Sequence, residues 1–499
     1  MIAAEDRIPL QQKIAFAAGV IADIFCTSLT LNALWLPVFN IGLGMNPLLL
    51  SGILVTLRIW DAFADPIAGN LSDNTRTRWG RRRPYLLFGT LALAVIYPLF
   101  WHLPGEWTDL SKAIALTVIG VIFFTAYAAW SMSYYGLQLE LTPHYDERTR
   151  LAAWGSIFAK FGYLVTGWIF ALVLFLGSFV SESSIRSEET QNSASEWVDL
   201  LRTSLNAVAS PQPGESTVVV GMRLVCWLIV AGILVCGLCP ALFVRERYYR
   251  VEAQQQPKTS FADSLRASFR CRPLWLLIGM TFFLLIGRAF VEGLSQYVNF
   301  YYVCRGDLAL GAAIAGWKAT VIGVVGFLSV PVLTFLSERF DKRIMVFSLL
   351  GLLLVGHLAN GFLMTPDAPY RQIYAGFFEA IAVPAFWMFM PAMKADVADW
   401  DEYHTARRRE GALNSFYSWF VKVALTLSLL LNGLALTWSG FDVRLPQQSD
   451  DVVNRMFQLY LILPLAFWVT AMAFAWFYPL SRRAAGEIRA ALEERRGRI

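Results

Sequence analysis

The sequence predicts an all-α membrane protein of about twelve transmembrane helices, arranged as two six-helix bundles. Three observations predict it. The chain of 499 residues is 56% hydrophobic with mean hydropathy +0.49, which is too apolar for a soluble chain of this size. Apolar windows of roughly 20 residues or more recur along its whole length, each long enough to cross a bilayer. Finally, the Leu71–Asp73 triplet LSD after the second window is echoed by LSE at Leu336–Glu338 after the eighth. Such an echo fits a duplicated six-span unit, a plan common in secondary transporters.

The windows fall at 12–38, 46–72, 84–103, 111–141, 151–180 and 216–245, then 272–304, 308–336, 343–365, 370–400, 411–438 and 453–480. The expected organisation is an N-terminal bundle over 1–245, with an extracytoplasmic loop at 181–215. A central cytoplasmic linker at 246–271 leads to a C-terminal bundle over 272–480 and a cytoplasmic tail at 481–499. The N-terminus is short, mixed in charge and runs straight into the first window, unlike a cleavable signal peptide. Lys and Arg crowd alternate loops: Arg76 to Arg83, Arg148 and Arg150, the central linker, Arg339 to Arg343, Arg407 to Arg409 and the tail. By the positive-inside rule both termini are expected in the cytoplasm, which requires an even number of spans. The net charge of +5 is spread over loops, so it suits anionic headgroups and gives no nucleic-acid signal.

The first span carries Asp23, Thr27 and Thr30 at helical spacing. This stripe reads equally well as a functional face or as hydroxyls bonded back to the helix with an acid near a neighbour's base. The second span is the stretch around which the rest is organised: RIWDAFADPIAGNLSDNTRTRWGRRRP, from Arg58 to Pro84. Arg58, Asp61 and Asp65 lie at i, i+3 and i+7, so they share one helix face. Ionisable groups at membrane depth are costly, and usually pair with one another and mark an ion or substrate path. Pro66 can kink the helix and free carbonyls beside the acids.

The fourth span bears Ser131, Tyr134, Tyr135 and Gln138 on one face, and the fifth buries Lys160. In the 181–215 loop, SEWVDLLRTSLNAV could form a short interfacial helix, although a flexible loop is the expectation. The seventh span carries Arg288, Glu292, Ser295, Gln296 and Asn299. Arg288 and Glu292 are one turn apart and can pair, for structure or for substrate. Lys318 in the eighth span and Glu379 in the tenth have no evident partner, and His357 in the ninth reads as structural. The tenth span contains Phe386 and Trp387 and leads into a charged inside loop, KADVADWDEYHTARRREG; Ser415, Ser418, Trp419 and Lys422 share a face of the eleventh.

Polar and aromatic groups from both halves, set in an apolar shell, describe a small-molecule site. Tyr134, Tyr135, Trp387 and Trp419 suit the apolar face of a sugar ring and suit packing equally well. The chain has no nucleophile elbow, no phosphate loop and no zinc spacing, so an enzyme is not expected. Cys26, Cys226, Cys236, Cys239, Cys271 and Cys304 form no metal-ligand pattern and read as small apolar residues.

The Arg58–Pro84 stretch resembles the second-span signature of the glycoside–pentoside–hexuronide:cation symporters, the melibiose permease group of the major facilitator superfamily. SYYGLQLELTPHYDERTRL, ADVADWDEYHTARRREG and the lysine in FYSWFVKVA extend the resemblance over both halves, apart from 181–215. It implies the major facilitator fold, alternating access to a central sugar site, coupling to sodium, lithium or protons, and a bacterial inner membrane. It further implies that Asp61 and Asp65 bind the cation, that Arg58 and Lys422 serve coupling, and that Trp387 meets the sugar. The family's sugar-holding Asp of the fourth span is here Ser131. Its fifth-span Arg falls near Gly155, with Lys160 farther along, and Asp23 lies one residue off the first-span acid. Where sodium-dependent members add Asn and Thr oxygens, this chain has Ala64 and Ala128.

The expected function is thus cation-coupled symport of a sugar or sugar acid by a monomeric, multi-pass carrier in contact with membrane lipid. The coupling ion is H+ or Na+, with a possible sodium at Asp61 and Asp65, and no cofactor is expected. Asp23, Ser131, Tyr135, Lys160, Arg288, Glu292 and Trp387 are the substrate-binding candidates. Lys160, Arg288, Lys318 and Lys422, set against the missing fourth-span acid, lean toward an acidic sugar. If protein acids neutralise those bases, a plain glycoside or pentoside fits instead. The alternatives are a carrier of a non-sugar amphiphile such as a lysolipid, or a non-transporting sensor with the same fold.

Overall fold

In the computed structural model, residues 8–75, 77–141, 145–186, 196–211, 215–244, 269, 271–405, 410–443, 445 and 447–496 are described. Among them are twelve helices long and apolar enough to cross a membrane. The one β feature among the described residues is an isolated bridge between Thr77 and Gly80. The helices are α1 (Leu10–Ile24, carried on by a π-helical segment Phe25–Leu34), α2 (Pro47–Asn74), α3 (Arg83–Trp101), α4 (Asp109–Glu140), α5 (Tyr145–Arg186), α6 (Glu196–Ala209) and α7 (Thr217–Phe243). They continue as α8 (Arg272–Tyr297), α9 (Leu308–Arg339), α10 (Lys342–Leu363), α11 (Ala375–Thr405), α12 (Glu410–Ser439), α13 (Asp450–Phe477) and α14 (Arg482–Arg496).

Local chemistry starts several of them. The Asn46 side chain accepts from the Leu48 and Leu49 amides at 2.8 and 3.4 Å, with Pro47 in the first turn. Thr108, Ser216 and Asp341 cap α4, α7 and α10 in the same way. Each cap satisfies amide donors that have no partner within the helix. Exposed apolar side chains recur at helical spacing: Phe88, Leu91, Val95 and Leu99 on α3, and Leu110, Ile114, Val118 and Ile122 on α4. Stripes of this kind are a liability in water and a lipid-facing surface in a bilayer.

The chain divides into two compact units: Met1–Gln256 with Leu308–Gly316 and Asp442–Pro446, and Pro257–Asp307 with Trp317–Phe441 and Gln447–Ile499. In the first, α1 packs on α5 and α7, α3 on α4 and α7, α2 on α4, and α5 on α7. In the second, α8 packs on α12 and α13, α10 on α11 and α13, and α12 on α13. The expected linker at 246–271 lies outside the described residues except for 269 and 271.

The duplication expected from the LSD and LSE echo extends to side-chain contacts. At the head of α3, Arg82 donates to the Met132 carbonyl of α4 at 3.4 Å. Its neighbour Arg83 donates to the Ala241 and Leu242 carbonyls at the end of α7, at 2.7 and 3.1 Å. At the head of α10, Lys342 donates to both Asp396 oxygens of α11 at 3.0 and 2.8 Å, and Arg343 donates to the Trp476 carbonyl at the end of α13. In each unit, then, two adjacent bases on the third span tie it to the fourth and sixth.

Two expectations require correction. The 181–215 segment contains an ordered helix, α6. Ala209 and Leu205 of α6 pack with Val180 and Leu176 of α5 and with Val220 and Leu224 of α7. Arg223 of α7 donates to the carbonyls of Ala209 and Ser210 and makes a two-pronged pair with Glu215, at 2.9 and 2.6 Å. Cationic donors at a helix C-terminus satisfy carbonyls and oppose the dipole. Just beside this anchor, α5 and α7 cross with backbones in contact: a Cβ on Gly177 would lie 2.0 Å from the Thr217 carbonyl oxygen, and one on Gly221 would lie 1.9 Å from that of Val173. The second correction concerns the charged stretch at the end of the tenth span, expected to turn into an inside loop: α11 continues through it as helix to Thr405.

Candidate substrate and cation sites

The second span carries its charged turn as a continuous helix through Pro66. Arg58 Nη1 lies 3.8 Å from Asp61 Oδ2, the i, i+3 pairing that the spacing implied. Asp61 is only 4% exposed and Asp65 is half-buried. Proline has no N–H, so the Ala62 carbonyl, between the two acids, loses its helical donor. The α2 face that carries Ala64 and Ala68 packs on Ala128 of α4, with Ala129 and Met132 around it. Small side chains permit this approach, and they bring no oxygen to it. Trp60 Nε1 donates to Thr125 of α4 at 2.9 Å, a further tie between the two helices.

Asp23 is the centre of a second cluster in the same unit. Tyr127 Oη donates to Asp23 Oδ1 at 2.5 Å and Tyr135 Oη donates to Oδ2 at 2.8 Å. Both carboxylate oxygens are therefore held by phenols of α4, and Arg58 is close enough to act on the carboxylate through its charge. Tyr135 is 45% exposed whereas Tyr127 is buried. The platform behind them is a ladder of rings: Tyr127, Trp130, Tyr134 and Phe16, with successive centroids 6.5, 5.0 and 4.5 Å apart. Tyr134 Oη donates to the Phe16 carbonyl at 2.7 Å. Gly19 is required there, because a Cβ would lie 2.4 Å from the Tyr134 ring.

Sequence reading missed Tyr127. The signal was present: Tyr127, Ser131 and Tyr135 are each one turn apart. Ser131 is buried and donates to the Ala128 carbonyl at 3.4 Å. Thr27 bonds back to the Asp23 carbonyl at 2.7 Å, one of the two alternatives its position allowed. Lys160 is half-buried and engaged within the protein. It lies on the stretch of α5 between Gly155, which faces Val20 of α1, and Gly162, which faces Ile24. That is the level of Asp23.

In the second unit Arg288 Nη1 stands 3.6 Å from Glu292 Oε2. Lys318 and Glu379, which had no evident partner in the sequence, pair with each other: Lys318 Nζ donates to Glu379 Oε1 at 2.8 Å, with side chains 19% and 14% exposed. Arg288 also acts on Glu379 through its charge. His357 is structural, as expected. Its Nε2 bonds the Tyr460 carbonyl at 3.0 Å and its ring sits edge-on to Trp468. Just past α8, Asn299 accepts from Gln372 at 2.7 Å.

Arg288 lines an apolar pocket between α8, α10 and α11, with Leu284, Leu349, Leu353, Phe386 and Trp387 among its walls. Trp387 is 53% exposed there. Lys422 is half-buried on α12 and engaged within the protein. It follows Val421 and precedes Ala424, which pack on Leu285 and Ile286 of α8. Among the described residues no cluster of His, Cys, Asp and Glu could hold a metal ion in the usual way.

Twelve spanning helices, a contact pattern repeated between halves and charge clusters within the spans define a multi-pass membrane carrier. The model of the MFS/sugar transport protein family matches residues 15–482, and the chain belongs to that family. It is 26% identical to an uncharacterized symporter of Synechocystis, over 98% of each chain. It is 24% identical to a glucuronide carrier protein homolog of Escherichia coli, over 97% of this chain and 95% of that one. It is 23% identical to a sodium-dependent lysophosphatidylcholine symporter of Xenopus tropicalis, over 98% and 90%. Among solved structures, an inward-facing bacterial homolog of the human lysosomal transporter Spinster superposes with a TM-score of 0.62 at 15% identity, covering 96% of this chain and 98% of that one. That likeness concerns the fold.

Proposed function

We propose that the protein is a secondary active symporter that moves a sugar or sugar acid through the membrane together with a monovalent cation, by alternating access, as a monomer and without enzymatic chemistry. The observation that carries this reading is the buried turn of α2, where Arg58, Asp61 and Asp65 share one face of a spanning helix. Two neighbouring carboxylates repel unless a cation joins them, so binding one offsets a built-in penalty. Arg58 reaches toward both this turn and Asp23, which supports a role in coupling cation to substrate. Within the first unit Asp23 and Tyr135, with Ser131 and Lys160 nearby, are assigned to substrate binding; within the second unit, separately, Arg288, Glu292 and Trp387 are. Lys422 is assigned to linking the two functions. Both termini face the cytoplasm of a bacterial inner membrane in this reading, as the loop charges require.

The proposed coupling ion is the proton. A bare sodium ion needs several oxygens to replace its water. Here Ala64 and Ala128 meet in an apolar contact beside the acids, whereas a proton needs one carboxylate. The test is uptake by proteoliposomes of the purified protein. An imposed pH gradient should drive accumulation, and substrate entry should alkalinise the outside. Uptake that depends on sodium at constant pH and membrane potential, without alkalinisation, would reverse the assignment and place sodium between the acids and the Ala62 carbonyl.

A second reading, transport of an amphiphile such as a lysolipid, draws on the pocket beside Arg288 and Trp387, whose walls are otherwise apolar. Stabilisation of the purified protein by a lysolipid series, with no response to sugars, would favour it.

A further inference from the structure

We propose that the second unit carries a binding site for an anionic phospholipid, built where the ends of α9, α10, α13 and α14 meet. The proposal is independent of the substrate and of the coupling ion.

Asp341 organises the site. Its Oδ1 accepts from the Arg343 amide at 3.0 Å and its Oδ2 accepts from the Arg482 amide at 2.9 Å. One carboxylate thus caps α10 and holds the first residue of α14 beside it. Both oxygens are spent on amide donors at helix N-termini, where the dipoles offset the negative charge. The arginines around this clamp are anchored by neutral groups. Arg343 donates to the Trp476 carbonyl at the end of α13, and its guanidinium lies 5.7 Å from the centre of the Trp476 ring. Arg339, the last residue of α9, lies 4.1 Å over the Phe335 ring. Ring and carbonyl contacts hold a guanidinium without cancelling its charge. Arg482 and Arg483 open α14 and are exposed. Two nearby acids are committed elsewhere: Asp396 pairs with Lys342 at 2.8 Å, and Glu487 pairs with Arg483 at 2.8 Å in the open, where such a pair is weak.

Apolar side chains flank the arginines. Phe340, Ile344, Trp476 and Phe477 are all exposed at the ends of spanning helices. Aromatic rings at span ends mark the level where headgroups meet acyl chains. The guanidinium fork matches phosphate oxygens, and the rings beside it suit the first carbons of an acyl chain. A soluble anion would use the arginines and leave the apolar flank in water. A zwitterionic lipid would bring a cation of its own to a basic site. A phospholipid with a net negative headgroup satisfies both surfaces.

The experiment titrates dioctanoyl phosphatidylglycerol into the purified full-length protein in dodecyl maltoside micelles, with binding read by native mass spectrometry. Dioctanoyl phosphatidylcholine and glycerol phosphate are titrated in parallel. Phosphatidylglycerol is expected to bind about tenfold more tightly than phosphatidylcholine. Arg343→Gln and Arg339→Gln should each weaken it about fivefold, the share of one base beside an anionic headgroup. Arg78→Gln removes an exposed base of the first unit and should leave binding unchanged, which controls for overall charge. Equal binding of the two lipids, or binding of neither, would overturn the proposal, as would a preference that both Arg343→Gln and Arg339→Gln retain. A loss in Arg78→Gln as large as in Arg343→Gln would overturn it too, because the attraction would then be diffuse. Displacement of phosphatidylglycerol by equimolar glycerol phosphate would replace the lipid site with one for a soluble phosphate ester. Arg339 contacts a ring of its own helix, so its variant tests the site even if Arg343→Gln does not fold.

Discussion

The pair Lys318–Glu379 offers a quantitative test of the second unit. Breaking a buried ion pair by removing one partner costs about 3–5 kcal/mol, because the other charge stays behind. Here the N···O distance is 2.8 Å and the side chains are 19% and 14% exposed, so the lower end, about 3 kcal/mol, is expected for Lys318→Met. Glu379→Gln should cost more. Glu379 serves Lys318 directly and also balances the charge of Arg288, so its loss leaves an excess of positive charge. The double variant Lys318→Met, Glu379→Leu removes both charges and fills the space with apolar groups. It should lie within about 1 kcal/mol of wild type, since apolar replacement of a buried pair is often neutral. The assay is a double-mutant cycle on unfolding free energy in mixed micelles, with each variant first checked for membrane insertion. The reasoning fails if both single variants match wild type, or if the double variant is as damaged as the sum of the singles, since additive effects mean no interaction between the sites.

Three other outcomes are expected. Asp61→Asn or Asp65→Asn should insert normally yet lose gradient-driven accumulation; full uphill uptake by either in proteoliposomes would contradict the cation assignment. Lys422→Ala should weaken cation and substrate binding together, measured separately by calorimetry, and loss of only one would remove its linking role. Tyr127→Phe and Tyr135→Phe each strip a donor from Asp23, a loss of about 1–3 kcal/mol for a charged acceptor left short of a partner. The buried Tyr127 should show this chiefly as reduced stability, and the exposed Tyr135 as reduced substrate affinity; the opposite split would contradict the placement of Tyr135 on the substrate face.

Much of this was legible in the sequence because bilayer physics is a one-dimensional constraint. Span length and the cost of ionisable groups in lipid act on consecutive residues, so the twelve helices and the shared face of Arg58, Asp61 and Asp65 could be read directly. The i, i+4 pairing of Arg288 with Glu292 is equally local. What tertiary structure decided were contacts between helices far apart in the chain. Lys318 finds Glu379 across 61 positions, and Tyr127 finds Asp23 across 104. Helical periodicity states which face a residue occupies but not which helix meets that face. The order of α6 was hidden for the same reason. Its own residues allow a short helix but read more readily as a flexible loop, and it is held by Arg223 of α7 reaching back to Ala209, Ser210 and Glu215. An acid or base in a span declares its cost from sequence alone; which partner offsets that cost depends on packing.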